Sequence, residues 1–320
     1  MELPTVGSEK ATQEIGKRWV MAAFVFPGQG SQRKGMGKDL FDEVREFSDV
    51  EKEVNAFLGY SLRELCLEDP DKKLTETQYT QPCLYVVNAL HYYKALSQGV
   101  RPQYVAGHSL GEYNALLAAG VFDFLTGLRL VKKRGELMAQ ATGGGMAAVA
   151  GLRAEQVARL RLEHGLFDLD VANFNSPTQT VLSGPVADIK RGQAIFEAAG
   201  ATAYVSLPVS AAFHSRYMVD AARLYADFLA SVSFSPPKIP VIANATALPY
   251  STESSAVRSL LTKQITHSVQ WKQSVSYLIR QGVVELKEIG PGNVLTRLIQ
   301  QIQKDASPEL QPTRQLGAHA

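Results

Sequence analysis

Apolar residues fall into short runs closed by turn residues, and these runs alternate with longer stretches of helical spacing. Ala22, Ala23, Phe24, Val25 and Phe26 form an uninterrupted apolar run, the pattern of a strand buried on both faces. It ends in the turn-rich Pro27-Gly28-Gln29-Gly30-Ser31-Gln32. Leu84, Val87 and Leu90 predict a helix over 81–96. A short strand over 104–106 runs directly into Gly107-His108-Ser109-Leu110-Gly111, and a helix over 112–119 follows, closed by Gly120.

The pattern changes after Gly143-Gly144-Gly145. Strands are predicted over 146–150, 169–173, 179–183 and 202–207, with helices over 154–164 and 186–199. The order β-α-β-β-α-β is ferredoxin-like and predicts a small domain, residues 143–208, inserted into a larger one formed by 21–142 and 209–305. Further strands over 239–242 and 285–289 belong to the larger domain; the second ends in Gly290-Pro291-Gly292 and a helix from Val294. Strands alternating with helices predict an α/β fold with a mainly parallel sheet covered on both faces. Residues 1–20 read as a leader or linker and 306–320 as a polar tail.

Composition narrows the function classes. The 320 residues are 45% hydrophobic and 20% charged, ordinary for a globular enzyme, and the net charge of +2 lacks the basic excess of a nucleic-acid binder. No stretch approaches the ~20 apolar residues of a membrane span, and none in residues 1–20 resembles a signal peptide. Two cysteines, Cys66 and Cys83, both in apolar surroundings, argue against a disulfide framework or a Cys-based metal site and favour a reducing, cytoplasmic setting. No metal site is predicted.

Gly107-His108-Ser109-Leu110-Gly111 matches G-x-S-x-G. Between a strand and a helix, the flanking glycines permit a strained turn that lifts a nucleophilic hydroxyl above the sheet edge; the plainer reading is a tight turn whose serine caps the helix. A serine needs a base. Among six histidines, His91 reads as packing, His164 ends a surface helix, His319 lies in the tail, His267 reads as structural, and His108 points away from its neighbour and shapes the pocket. That leaves His214, in a loop where the small domain rejoins the large one; a loop histidine bonded to backbone is the alternative. Gly28-Gln29-Gly30-Ser31-Gln32 lacks the Gly-Lys-Ser/Thr ending of a P-loop. Beside a serine nucleophile, such a loop can pair the N–H of Gln29 with that of Leu110 as an oxyanion hole; alone it reads as a turn.

Six stretches resemble malonyl-CoA:acyl carrier protein transacylases and the related acyltransferase domains of polyketide synthases. They are Phe26-Pro27-Gly28-Gln29-Gly30-Ser31-Gln32, Gly107-His108-Ser109-Leu110-Gly111-Glu112-Tyr113, Arg134-Gly135-Glu136-Leu137-Met138, Ala212-Phe213-His214-Ser215, the segment 264–271, and Ile289-Gly290-Pro291-Gly292-Asn293-Val294-Leu295-Thr296. The resemblance implies an α/β-hydrolase-like large domain, a ferredoxin-like small domain, and a Ser109–His214 dyad whose imidazole is oriented by the main-chain carbonyl of Gln264. It implies that Arg134 grips the free carboxylate of a malonyl group, in a substrate pocket that also takes in Met138 and His108. His267 departs from the Asn usual in the family, which leaves only a backbone contact expected there. Phe213 matches the residue that polyketide acyltransferases selecting malonyl often carry, and so points to a stand-alone polyketide enzyme acting in trans, with fatty acid biosynthesis as the neighbouring role. The implied reaction passes malonyl from malonyl-CoA through a seryl ester to the phosphopantetheine thiol of an acyl carrier protein, with no bound cofactor. The rival enzyme is an acyl hydrolase that clears carrier proteins, and the rival of another class is a non-catalytic docking module.

Overall fold

The computed structural model describes residues 21–306; the predicted leader, all but the first residue of the predicted tail, and His319 lie outside them. The apolar run at the start becomes strand β1 (Ala22–Phe26), buried along its whole length. Side chains alternate across a strand. Phe24 and Phe26 therefore enter one core layer, while Ala23 and Val25 enter another on the opposite face. A strand this apolar is stable only between two layers, and each large side chain so covered contributes roughly 1.5–3 kcal/mol.

Three short helices follow, α1 (Arg45–Ser48), α2 (Glu51–Leu58) and α3 (Leu62–Leu67), and then the long α4 (Thr77–Ser97). The predicted start of α4 at 81 is corrected to Thr77, with Pro82 inside the helix. Pro82 cannot donate one backbone bond, but it sits in the second turn, where the loss does not end a helix whose buried face is held by packing. Strand β2 (Tyr104–Gly107) leads into α5 (Gly111–Ala118) and α6 (Phe124–Gln140).

A second sheet is built from β3 (Gly144–Ala150), β4 (Asp170–Ser176), β5 (Gln179–Pro185) and β6 (Ala203–Ser206), in the order β4-β5-β3-β6 with every pair antiparallel. Helices α7 (Ala154–Glu163) and α8 (Val186–Ala198) contribute Val157, Ile189 and Phe196 to the core layer that Ala147, Val149 and Leu182 of this sheet also enter. This is the ferredoxin-like order expected from the element sequence. Residues α9 (Val219–Leu229), β7 (Val241–Ile242), α10 (Ser254–Thr266), α11 (Trp271–Arg280), β8 (Glu285–Glu288) and α12 (Val294–Asp305) complete the chain. The predicted strand over 239–242 shortens to two residues, because Pro240 has no N–H to donate, although its carbonyl still accepts from Val105 at 3.0 Å.

The first sheet has the order β7-β2-β1-β8, all parallel. Val25 pairs with Ala106 and Phe26 with Gly107, so β1 and β2 end together. Ile242 pairs with Ala106, and Glu288 with Val25. The loops after all four strands thus leave one edge of the sheet side by side, which is where open α/β sheets bind ligands. The second sheet is tied to the segment between α10 and α11 through β4, where Phe174 N–H donates to Val269 O at 3.0 Å and Val269 N–H to Ala172 O at 2.8 Å.

Candidate active site

Ser109 sits between β2 and α5 with φ of 50°, the left-handed region that a non-glycine residue seldom adopts. The turn is this tight because strand and helix crowd the same backbone. A Cβ on Gly111 would lie 2.0 Å from Phe26 O, and one on Gly28 would lie 2.3 Å from His108 O. Only glycine fits at either place. Asn244, two residues past β7, holds the strained turn: its Oδ1 accepts the Ser109 N–H at 2.6 Å and its Nδ2 donates to Gly107 O at 2.6 Å. The seryl hydroxyl is thereby presented above the sheet edge, the geometry anticipated from G-x-S-x-G.

His214 reaches this hydroxyl from a loop after the second sheet. Its Nε2 lies 2.8 Å from Ser109 Oγ, and its Nδ1 lies 2.8 Å from the main-chain carbonyl of Gln264 on α10. A carbonyl only accepts, so Nδ1 carries the proton and Nε2 is free to take one. Burial first, and then the Arg134 charge, push the His214 pKa down to about 3 against the opposing bond to Gln264. At neutral pH the ring is therefore an uncharged acceptor. His267 turns away: its exposed ring bonds Lys263 O at 3.0 Å and Thr266 Oγ1 at 2.9 Å.

Arg134 lies on α6 beside the half-buried Lys132 and Lys133, yet it is itself only 1% exposed. Its Nη1 donates to Gln81 Oε1 at 2.8 Å, and its Nη2 donates to Gln264 Oε1 at 2.9 Å and Ser109 Oγ at 3.1 Å. The guanidinium also stands 5.6 Å from the Tyr113 ring centroid. Among the described residues no carboxylate forms an ion pair with it, and its buried Nε has no partner. A buried cation held by neutral groups beside the hydroxyl is costly unless an anion joins it.

The backbone of Gln29 and that of Leu110 leave adjacent strands, and neither N–H donates to a partner among the described residues. The Gln29 side chain is anchored to Thr77 Oγ1 at 3.2 Å. Together these groups line a cleft of ≈ 220 Å³ that also takes in His108, Met138 and Phe213. His108 is turned from Ser109 and donates from Nε2 to Asn175 Oδ1 at 2.9 Å, with its ring edge-on to Trp271 at 5.6 Å. Among the described residues no group of three or more His, Cys, Asp or Glu side chains could hold a metal ion, and no helix is long and apolar enough to cross a membrane.

Several polar residues of the site escaped the sequence reasoning. Gln81 and Asn88 are seven apart on α4, both buried on an otherwise apolar face; Asn88 Nδ2 donates to Pro27 O at 2.9 Å and so steadies the Gln29 loop. Two polar residues at helical spacing inside an apolar stripe were the available signal. Glu112 is also buried: its Oε1 accepts from Tyr250 Oη at 2.5 Å and from Asn244 N–H at 3.1 Å, and its Oε2 from Gln264 Nε2. Burial pushes its pKa up to about 7, against the pull of the Tyr250 and Gln264 bonds. Asn244 and the Gln264 side chain offered no local signal.

Known proteins resemble this chain in sequence and in fold. The family described as "Acyl transferase domain" matches residues 23–317. The polyketide biosynthesis malonyl CoA-acyl carrier protein transacylase PksC of Bacillus subtilis is 54% identical over 288 residues, covering 89% of this chain and 98% of that protein. BaeC of Bacillus velezensis, which carries the same description, is 52% identical over 294 residues, covering 91% of this chain and 100% of its own. Among solved structures, a malonyl CoA-acyl carrier protein transacylase from Burkholderia pseudomallei superposes with a TM-score of 0.85 at 47% identity, covering 90% of this chain and 99% of that one. A type II polyketide synthase acyl-carrier protein in complex with its malonyl-transacylase matches with a TM-score of 0.84 at 36% identity, covering 89% and 93%. With nearly the whole chain matched in sequence and in fold, the protein belongs to the acyl transferase domain family.

Proposed function

We propose that this enzyme moves a malonyl group from malonyl-CoA to the phosphopantetheine thiol of an acyl carrier protein, through an ester on Ser109. The observation that carries the reading is Arg134: a buried guanidinium without an ion-pair partner among the described residues, 3.1 Å from the Ser109 hydroxyl. A planar fork of N–H donors suits a carboxylate, and malonyl is an acyl group that ends in one.

His214 Nε2 takes the Ser109 proton as Oγ bonds to the thioester carbon. The N–H groups of Gln29 and Leu110 receive the oxyanion, which their backbone positions favour. The C–S bond breaks, and the CoA sulfur leaves with the proton from His214. A carrier-protein thiol then repeats the sequence in reverse roles. The Gln264 carbonyl keeps the imidazole in the required tautomer and supports the transient imidazolium. Arg134 has a second effect: its charge is one of the causes that depress His214, so a bound carboxylate that neutralises it also strengthens the base.

Met138, Phe213 and His108 are assigned to the acyl pocket, and Phe213 to crowding a branch at the α-carbon. The resident groups suffice for this sequence of steps, with malonyl-CoA and the phosphopantetheine thiol as substrates. Residues 143–208 are read as an inserted lobe over the site. The descriptions of PksC and BaeC favour polyketide biosynthesis with the enzyme acting in trans, and two buried free cysteines suit a reducing cytoplasm.

Intact-mass analysis tests the reading. The protein mixed with malonyl-CoA should gain one malonyl adduct, lose it to a holo carrier protein, and gain none as Ser109→Ala. Release of the adduct to water, with no transfer, would make it a hydrolase; no adduct at all would make it a docking module.

A further inference from the structure

We propose that Glu112 is a positioning residue for substrate selection: its buried carboxylate sets the Gln264 amide, which in turn aims Arg134 at the acyl pocket. The inference rests on the carboxylate-binding role given to Arg134 above. Glu112 lies in the first turn of α5, is 1% exposed, and does not line the cleft. It therefore acts through others.

The chain of bonds has a direction. A carboxylate only accepts and a guanidinium only donates, whereas a glutamine amide can present either end to either side. Gln264 Nε2 faces Glu112 Oε2 and also donates to Ser109 O at 2.9 Å, while Gln264 Oε1 faces Arg134 Nη2 at 2.9 Å. A flipped amide would set its NH₂ against the donor-only guanidinium, and its oxygen against two acceptors. Glu112 Oε2 and Ser109 O, both accepting from Nε2, thus set which end of Gln264 meets the cation. Of these two acceptors only Glu112 is a carboxyl group, and among the described residues the guanidinium has no carboxylate of its own in ion-pair range. The other oxygen of Glu112 bonds the N–H of Asn244, the residue that clamps the Ser109 turn. One buried carboxylate thereby ties the orientation of the carboxylate-binding group to that of the nucleophile. This also accounts for a glutamic acid, costly to bury, in the first turn of a fully buried helix.

The test is single-turnover acylation of the full-length protein by malonyl-CoA and by acetyl-CoA, read by intact mass. In Glu112→Gln the malonyl-to-acetyl rate ratio should fall about tenfold or more, mostly in the malonyl arm, because a bond to a charged group is misdirected. A merely structural Glu112 would lower both arms in parallel; an unchanged ratio overturns the proposal. Arg134→Ala, run beside it, separates the two readings. A ratio that collapses in Arg134→Ala but holds in Glu112→Gln sinks the positioning role alone, and a ratio that holds in both sinks the carboxylate role on which it rests. Should Glu112→Gln fail to fold, Gln264→Leu carries the same test, since it keeps the main-chain carbonyl used by His214 and removes only the amide. Collapse of the ratio there supports the proposal, and an unchanged ratio overturns it.

Discussion

Replacing Arg134 by alanine removes the only buried Lys or Arg side chain among the described residues, the one that bonds the proposed nucleophile Ser109. In the intact enzyme a malonyl carboxylate entering the cleft would exchange water for a guanidinium that is itself 1% exposed. In the variant the same carboxylate would be desolvated without a partner, a loss of about 3–5 kcal/mol. At 1.36 kcal/mol per decade that is roughly 150- to 5,000-fold in kcat/KM for malonyl-CoA. Acetyl-CoA brings no carboxylate and escapes this penalty. It gains instead, because the Arg134 charge is among the causes that depress His214, and removing it restores basicity to the ring. Gln81 Oε1 and Gln264 Oε1 lose their donor, at a cost of about 1–3 kcal/mol each in stability, which bears on both substrates alike. Rapid-quench acylation with the two thioesters, scored as a ratio, isolates the carboxylate effect from any general loss. A ratio equal to that of the unaltered enzyme would refute the reasoning, however far both rates fell.

Three further outcomes are expected. Phe213 is buried in the cleft wall beside His214, so Phe213→Ala should raise methylmalonyl acylation relative to malonyl by about 10- to 100-fold, the worth of one methyl group; competition between the two CoA esters measures it. Asn244→Ala leaves the Ser109 N–H and the Gly107 carbonyl without their bonds, a loss of roughly 2–4 kcal/mol, so both the melting temperature and the acylation rate should fall; unchanged values in calorimetry and in single-turnover acylation would exclude the clamp. Burial pushes His91 down to about 4, with Lys94 and Arg33 adding to the effect. The unfolded chain protonates it near ~6.5 and the folded one does not, so the stability it allows is complete above ~6.5 and declines as pH falls towards 4. His91→Gln should lessen the loss of unfolding free energy across that window by an amount on the order of 3 kcal/mol, read by denaturant titration at both ends of it.

Much of the site was legible because it is local. A buried strand, two glycines around a serine and a following helix are constraints within a few residues, and steric crowding between Gly111 and Phe26 leaves few alternatives. The β-α-β-β-α-β order was likewise readable from alternation and helical spacing, with boundaries shifting by a residue or a turn where packing outweighed propensity, as at Pro82. Among six histidines the sequence also singled out His214 as the expected base and, through the family resemblance, it pointed to Arg134.

Tertiary structure alone decided how these groups meet. On its helix Arg134 stands beside two lysines, and spacing by itself reads it as a surface charge; packing of α6 against α4 turned it inward. Its partners lie 25 residues away at Ser109 and 130 away at Gln264, while His214 lies 105 from the serine. Those separations are closed by the parallel sheet, which brings four strand ends to one edge, and by helix α10, whose last turn offers a carbonyl to His214 and an amide to Arg134. Glu112, Asn244 and the Gln264 side chain belong to this second group. Their roles reside in hydrogen bonds between distant segments, and a linear pattern of apolar and polar residues carries no record of which buried polar group will face which.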